Sequence, residues 1–282
     1  MDRSVHNRPN GKIMSKTVLI TGASSGIGEV TAQRFASHGW NVVASARDIG
    51  RIGGWADQPN IARLAMDVTD EAGVQAAVAE AIGRFGAVDA LVNNAGAGLA
   101  GAFETISAED LRQIFEVNVF GAARTMRAVI PHMRGRKSGV IVNVTSITGR
   151  LGLPFMAPYD ATKFALEGLS ESLSYELGYL GIRVKLVEPG GVRTGFTHRW
   201  SRSQAYNPAL DAFIAKMEAG APKAQGPEGV ARAIYKAATD DNDRLRYTAN
   251  GSGPMILLNH LLPHRVWRAI VTSSFLGRGL SA

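Results

Sequence analysis

In the stretch "PYDATKFALEG", residues 158–168, a tyrosine and a lysine stand four positions apart. Four residues is about one helical turn, so Tyr159 and Lys163 share a face. An ammonium beside a phenol favours the phenolate and lowers the phenol's pKa from about 10. Such a pair is a general acid–base for chemistry near neutral pH; alone, it also reads as two surface residues in register. Ser146 closes "VIVNVTS" and offers a hydroxyl to a carbonyl oxygen on which negative charge develops. No histidine shares a motif with Ser146, which argues against a serine-hydrolase triad. The six histidines are scattered without ligand spacing, read as surface or structural, and predict no metal. Asn118, in "VNVFG", is polar within an apolar helical stretch. Either it bonds the helix backbone and distorts it, or it anchors a water that links Lys163 to solvent.

A second chemical feature lies near the start. "TGASSGIG" (21–28) joins the first strand-like run to the first helical one. Gly22, Gly26 and Gly28 allow a tight turn and close backbone approach, and the helix start offers free N–H groups to a pyrophosphate. Ser24 and Ser25 lie within the same turn and are grouped with it as cofactor contacts. About 20 residues on, an acid would hold the ribose of NAD. Here "ASARD" puts Ala46 in that place, followed by Arg47. An arginine there can stack on adenine and pair with a 2′-phosphate, which favours NADP(H) over NAD(H); the alternative is a solvated Arg47 with Asp48 as a displaced ribose acid. Asp67, in "MDV", offers an acceptor to the adenine amino group. "NNAG" (93–96) closes the next strand, where Ala95 and Gly96 leave room for a flat ring or ribose. A purely structural turn explains each of these two motifs equally well.

Short β-branched runs at 17–21, 41–45, 61–65, 89–93, 139–145, 183–188 and 245–249 predict seven strands. Most are apolar on both faces, as in a parallel sheet covered on each side. Helical patterns near 27–38, 70–85, 107–134, 158–180, 208–218 and 227–239 alternate with them. The pattern predicts one α/β domain over 14–282, a doubly wound and mainly parallel sheet of Rossmann type. Ligands of such sheets bind at the carboxyl edge of the strands, where Ser146 and the glycine turn both fall. Residues 1–13 read as a disordered extension. The segment 191–226 lacks a strand-like run and reads as a substrate lid, and 251–282 as a helical tail.

Taken in order, "TGASSGIG", "NNAG", the Asn118 segment, Ser146, "YDATK" and "PGGVRT" (189–194) resemble the short-chain dehydrogenase/reductase family over about residues 15–250. The resemblance implies that Tyr159 is the acid/base, that Ser146 orients and polarises the substrate carbonyl, and that Lys163 tunes the tyrosine and holds the nicotinamide ribose. It makes Asn118 part of the proton relay. It also implies cofactor contacts from Ile27, Asn94, Val68, Pro189, Gly190, Val192 and Thr194. The implied enzyme reduces a carbonyl or oxidises a secondary alcohol with NADP(H), as a homodimer or homotetramer pairing through 107–134 and 158–180. Leu153, Phe155, Met156, Phe196 and Trp200 fall near the expected cleft and admit a larger apolar alcohol of steroid, retinoid or acyl type as the alternative substrate. A non-catalytic dinucleotide sensor on the same fold is the rival from another class.

Composition bounds the rest. The 282 residues are 45% hydrophobic and include no cysteine, which excludes disulfides and thiolate chemistry and fits a cytoplasmic protein. The net charge of +7 is dispersed, so nucleic acid is not an expected partner. The basic, apolar tail can lie against a membrane surface, the body of the protein or another subunit.

Overall fold

The computed structural model describes residues 15–276. The extension at 1–13 and the last residues of the tail, 277–282, lie outside the described residues. In chain order come β1 (Thr17–Thr21), α1 (Gly26–Ser37), β2 (Asn41–Ala46), β3 (Ile61–Ala65), α2 (Glu71–Phe85), β4 (Ala90–Asn93) and β5 (Gly98–Gly101). Then follow α3 (Ala108–Phe115), α4 (Gly121–Arg136), β6 (Gly139–Val144), α5 (Ala157–Gly178), β7 (Ile182–Pro189) and β8 (His198–Ser201). The chain continues through α6 (Asn207–Gly220), α7 (Glu228–Thr239), β9 (Arg246–Ala249), α8 (Ser252–Leu261) and α9 (His264–Phe275).

Seven strands form one parallel sheet in the order β3-β2-β1-β4-β6-β7-β9. The continuous apolar runs have a simple cause: neighbouring residues feed opposite layers. Val18, Ile20, Val42, Ala44, Val92 and Val142 pack beneath α1 and α7. Leu19, Val43, Leu91 and Ile141 face the layer of α2, α4 and α5. The order reverses between β1 and β4, so a crevice opens at their carboxyl ends. The glycine turn follows β1 and "NNAG" follows β4, on the two sides of that crevice.

Inside the sheet, a buried polar network fixes the helices that carry the site. Asn93 Nδ2 donates to Asn143 Oδ1 at 2.8 Å, and Thr125 of α4 donates to Asn93 Oδ1 at 2.6 Å. Asn143 Nδ2 donates to Ser170 of α5 at 2.8 Å. A slip of either helix would leave these buried groups unpaired, at about 1–3 kcal/mol each.

The segment 191–226 departs from expectation. It contains a strand, β8, which pairs in parallel with β5 in a separate two-stranded sheet. The helix read over 107–134 runs from 108 to 136 and widens over Glu116–Phe120 into a π turn, in which Gly121 N–H reaches back to the Glu116 carbonyl.

Candidate active site

The glycine turn is locked from behind. Asn94 Nδ2 donates to the carbonyls of Thr21 and Gly22 at 3.0 and 3.1 Å, and Thr21 Oγ1 accepts from the N–H groups of Asn94 and Ala95 at 2.9 Å. Gly28 sits against this clamp: a Cβ there would lie 2.6 Å from Asn94 Nδ2 and collide with the Gly22 carbonyl. No side chain caps the start of α1 at Ser25, so its first N–H groups face the cleft as donors for an anion. This narrow, uncapped cradle fits a dinucleotide pyrophosphate, with Ser24, Ser25, Gly26 and Ile27 along it. Thr194 stands over Gly26. Pro189, Gly190 and Val192 lead to it from the end of β7, with Val192 partly packed on the core.

At the ribose position, β2 ends in buried Ala46 and Arg47 is exposed. Asp48 accepts from Gly50 N–H at 2.9 Å and caps a short turn, which occupies part of the carboxylate weighed as a displaced ribose acid. Asp67 accepts at one oxygen from the N–H and O–H of Thr69, at 2.9 and 2.8 Å, and keeps the other free. The Val68 side chain is buried against Gly121 at the start of α4. The cause is the close approach of that helix to the end of β3. Gly96 is exposed beside Asn118 Oδ1.

At the reactive end, α5 begins with Pro158 in its first turn, where a missing N–H costs nothing. Tyr159 and Lys163 follow on its inner face, with Lys163 Nζ 5.6 Å from the centre of the tyrosine ring. The ammonium donates to the Val144 carbonyl at 3.1 Å. Burial drives its pKa down to about 8, opposed by the carboxylate of Glu167 one turn on. Ser146 follows β6 and accepts from the N–H and O–H of Thr148, both at 3.2 Å. Its own proton is thereby left to donate to an oxygen in the cleft.

The tyrosine departs from expectation. Burial pushes its phenol above the ordinary value, with Ser146 acting in the opposite direction as a hydrogen-bond partner. Lys163 bonds the Val144 carbonyl and is itself desolvated. Asn118 is also committed: Oδ1 accepts from Ala97 N–H at 2.7 Å, and Nδ2 donates to Ala97 O and Thr162 Oγ1 at 2.9 and 3.0 Å. Its side chain bonds the loop after β4 and α5 rather than the helix backbone, leaving only its main chain to meet a water.

The model of the family described as short chain dehydrogenase matches residues 16–205. The chain belongs to this family. A 3-ketodihydrosphingosine reductase of Bacteroides thetaiotaomicron is 41% identical over 184 residues, 64% of this chain and 65% of that protein. A short-chain dehydrogenase from Streptomyces avermitilis superposes with a TM-score of 0.81 at 34% identity, covering 95% of this chain and all of that one. A family member from Burkholderia phymatum, solved with NAD, gives 0.78 at 29% identity, with 91% and 95% covered. A metagenomic member solved with NADP gives 0.68 at 27%, with 83% and 97% covered. This short-chain dehydrogenase is thus an oxidoreductase whose solved relatives bind NAD or NADP.

Over the face of this short-chain dehydrogenase that carries Tyr159 lies the segment expected to form a lid. Phe196, His198 and Trp200 alternate along and just before β8, and their rings form a ladder. Phe196 lies 6.0 Å and His198 5.1 Å from the Tyr159 ring, the latter edge-on; Trp200 continues to Phe213 of α6 at 6.1 Å. Phe155 joins Phe213 at 6.0 Å. Met156, expected in the pocket, is 2% exposed and belongs to the small core that supports the lid, because the turn into α5 points it inward.

Two residues escaped sequence reasoning. His198 was grouped with the surface and structural histidines. It is packed against Tyr159 with Nε2 buried and unpartnered, and burial lowers its pKa to about 4. The two-residue alternation of "FTHRW" was the available clue. Asp160 sits under the turn before α5 and accepts from Leu153 N–H at 2.9 Å, while its other carboxylate oxygen is buried without a partner. Desolvation raises its carboxyl to about 7.

Proposed function

We propose that this protein is an NADP(H)-dependent reductase of ketones or dehydrogenase of secondary alcohols. The observation that carries the reading is the meeting of Ser146, Tyr159 and Lys163 at the sheet edge that also holds the uncapped glycine cradle. The dinucleotide, when bound, donates or accepts the hydride. The chain's own residues handle the oxygen and its proton. Ser146, already accepting two hydrogen bonds from Thr148, directs its O–H at the substrate oxygen and fixes the carbonyl plane. Tyr159 gives its proton to that oxygen in reduction and takes one in oxidation. Lys163, desolvated and charged below about pH 8, stabilises the phenolate that reduction leaves. Asn118 ties the loop after β4 to the π turn and α5, and its main chain is the group available to the proton relay. Arg47 supports the choice of NADP(H): it is exposed at the ribose position while Asp48 caps the next turn.

Exposed Phe164, Tyr175 and Tyr179 share one face of α5, near exposed Phe120 at the start of α4. Apolar rings in water on these helices support a homo-oligomer joined there. The test of the reading is turnover of a panel of ketones and aldehydes with NADPH and with NADH. NADPH is expected to give at least tenfold higher kcat/KM, and a preference for NADH would overturn the role of Arg47.

A further inference from the structure

Behind Tyr159 and Lys163 lies a buried ionic cluster that the reaction proposed above does not use. Lys163 and Glu167 stand one turn apart on α5, both buried. Together they fasten the helix to consecutive residues at the end of β6. Lys163 Nζ donates to the Val144 carbonyl at 3.1 Å, and Thr145 Oγ1 donates to Glu167 Oε1 at 2.7 Å. The next residue is Ser146. Glu167 Oε2 accepts from Arg246 Nε of β9 at 3.0 Å. The same guanidinium donates to Glu171 at 2.6 Å and lies 3.5 Å from buried Glu188 of β7. Glu188 in turn pairs with Arg150 at 3.0 Å. Three cations (Lys163, Arg246, Arg150) thus meet three carboxylates (Glu167, Glu171, Glu188) behind the strand end that carries Ser146.

The charge on Lys163 needs such support. Among the described residues its one hydrogen-bond acceptor is the neutral Val144 carbonyl, and an ammonium at this depth has lost its hydration. The ionisable groups on the elements packed about it are Tyr159, Asp160 and Glu167 of α5, Arg150 after β6, Glu188 of β7 and Arg246 of β9. Of these, the Glu167 carboxylate opposes the effect of burial and favours the charged lysine. Desolvation pushes the Glu167 carboxyl up, and Glu188 adds to this; the bonds from Thr145 and Arg246 pull it back towards the carboxylate. We propose that Glu167 is a positioning residue for the reaction: held ionised by Arg246 and Thr145, it keeps Lys163 an ammonium beside Tyr159. The proposal rests on the carbonyl chemistry assigned to Tyr159, where that ammonium stabilises the phenolate left by proton transfer.

The test is the titration of Lys163, followed by carbon NMR of isotope-labelled lysine, with its resonance assigned by its loss in Lys163→Met. In the parent the midpoint is expected at about pH 8. Glu167→Gln removes the charge and keeps the bonds. The amide oxygen can accept from Arg246, and its nitrogen can donate to Thr145 Oγ1, which retains the Val187 carbonyl as acceptor at 3.1 Å. The midpoint should fall by about one pH unit in this variant. The alkaline limb of kcat/KM for ketone reduction with NADPH should fall with it. Glu167→Asp keeps the charge and should hold both at the parent's values. A midpoint unmoved in Glu167→Gln, or lowered equally in Glu167→Asp, overturns the proposal. So does a midpoint that moves while the alkaline limb stays in place. If the midpoint moves and the parent reduces no ketone, the reaction assigned to Tyr159 fails and the hold of Glu167 on Lys163 stands.

Discussion

At the glycine turn the chain is held by directed bonds, and at the lid it is held by contact. Thr21 and Asn94 clamp the cradle with four hydrogen bonds of 2.9–3.1 Å, behind a seven-stranded sheet. The lid rests on two four-residue strands and a ladder of rings 5.1–6.1 Å apart. Directed bonds in the core tolerate little displacement. Contacts between rings at the surface can part and re-form at small cost. The difference matches the tasks proposed for them: a cofactor site stays built between turnovers, whereas a substrate must enter and leave.

Breaking the rigid end should act on the cofactor. Gly28→Ala forces a methyl group into the Gly22 carbonyl and the Asn94 amide. NADPH affinity, followed by its fluorescence on binding, should fall at least 100-fold while circular dichroism stays that of the parent. Breaking the lid should act on the substrate alone. Gly101 has φ +134, and a Cβ there would lie 2.7 Å from Ser201 N and closer still to its carbonyl. Gly101→Ala should part β5 from β8, raise the ketone KM roughly tenfold and leave NADPH binding within about twofold. An equal loss of both affinities would show that the two ends are one mechanical unit.

A third effect concerns the junction between the ends. Asp160 has its carboxyl raised from 3.8 to about 7, chiefly by desolvation. A folded-state value above the unfolded one means the folded protein holds the proton longer. Its contribution to stability is complete below about pH 4 and is lost as pH rises through 7. Asp160→Asn should abolish that decline, up to roughly 4 kcal/mol between those limits. Thermal melts at pH 5 and pH 8 check it, and an unchanged slope in the variant would assign the pH dependence elsewhere.

The same contrast explains what could be read from the sequence. The strands, the cradle, Ser146, Tyr159 and Lys163 were legible because each is dictated locally, by continuous apolar runs or by chemistry at fixed spacing. β5 and β8 were not. "GLAG" and "HRWS" are four residues each, with no β-branched residue, and they pair across 100 positions. The inward turn of Met156, the burial of Val68 under Gly121 and the engaged side chain of Asn118 depend on packing between elements distant in sequence. Raised Tyr159 and lowered Lys163 likewise follow from burial, which spacing along a helix does not report. His198 was hidden because one histidine has no spacing at all, and only its alternation with Phe196 and Trp200 marked it.

The central proposal is that Tyr159 moves the proton and that its hydroxyl is not needed to hold the cofactor. Tyr159→Phe keeps the ring against His198 and removes only the hydroxyl, so one measurement of NADPH affinity and ketone turnover on this variant bears on both halves. The account predicts turnover reduced by at least about 1,000-fold with NADPH affinity within about threefold of the parent. Turnover retained within tenfold would contradict it.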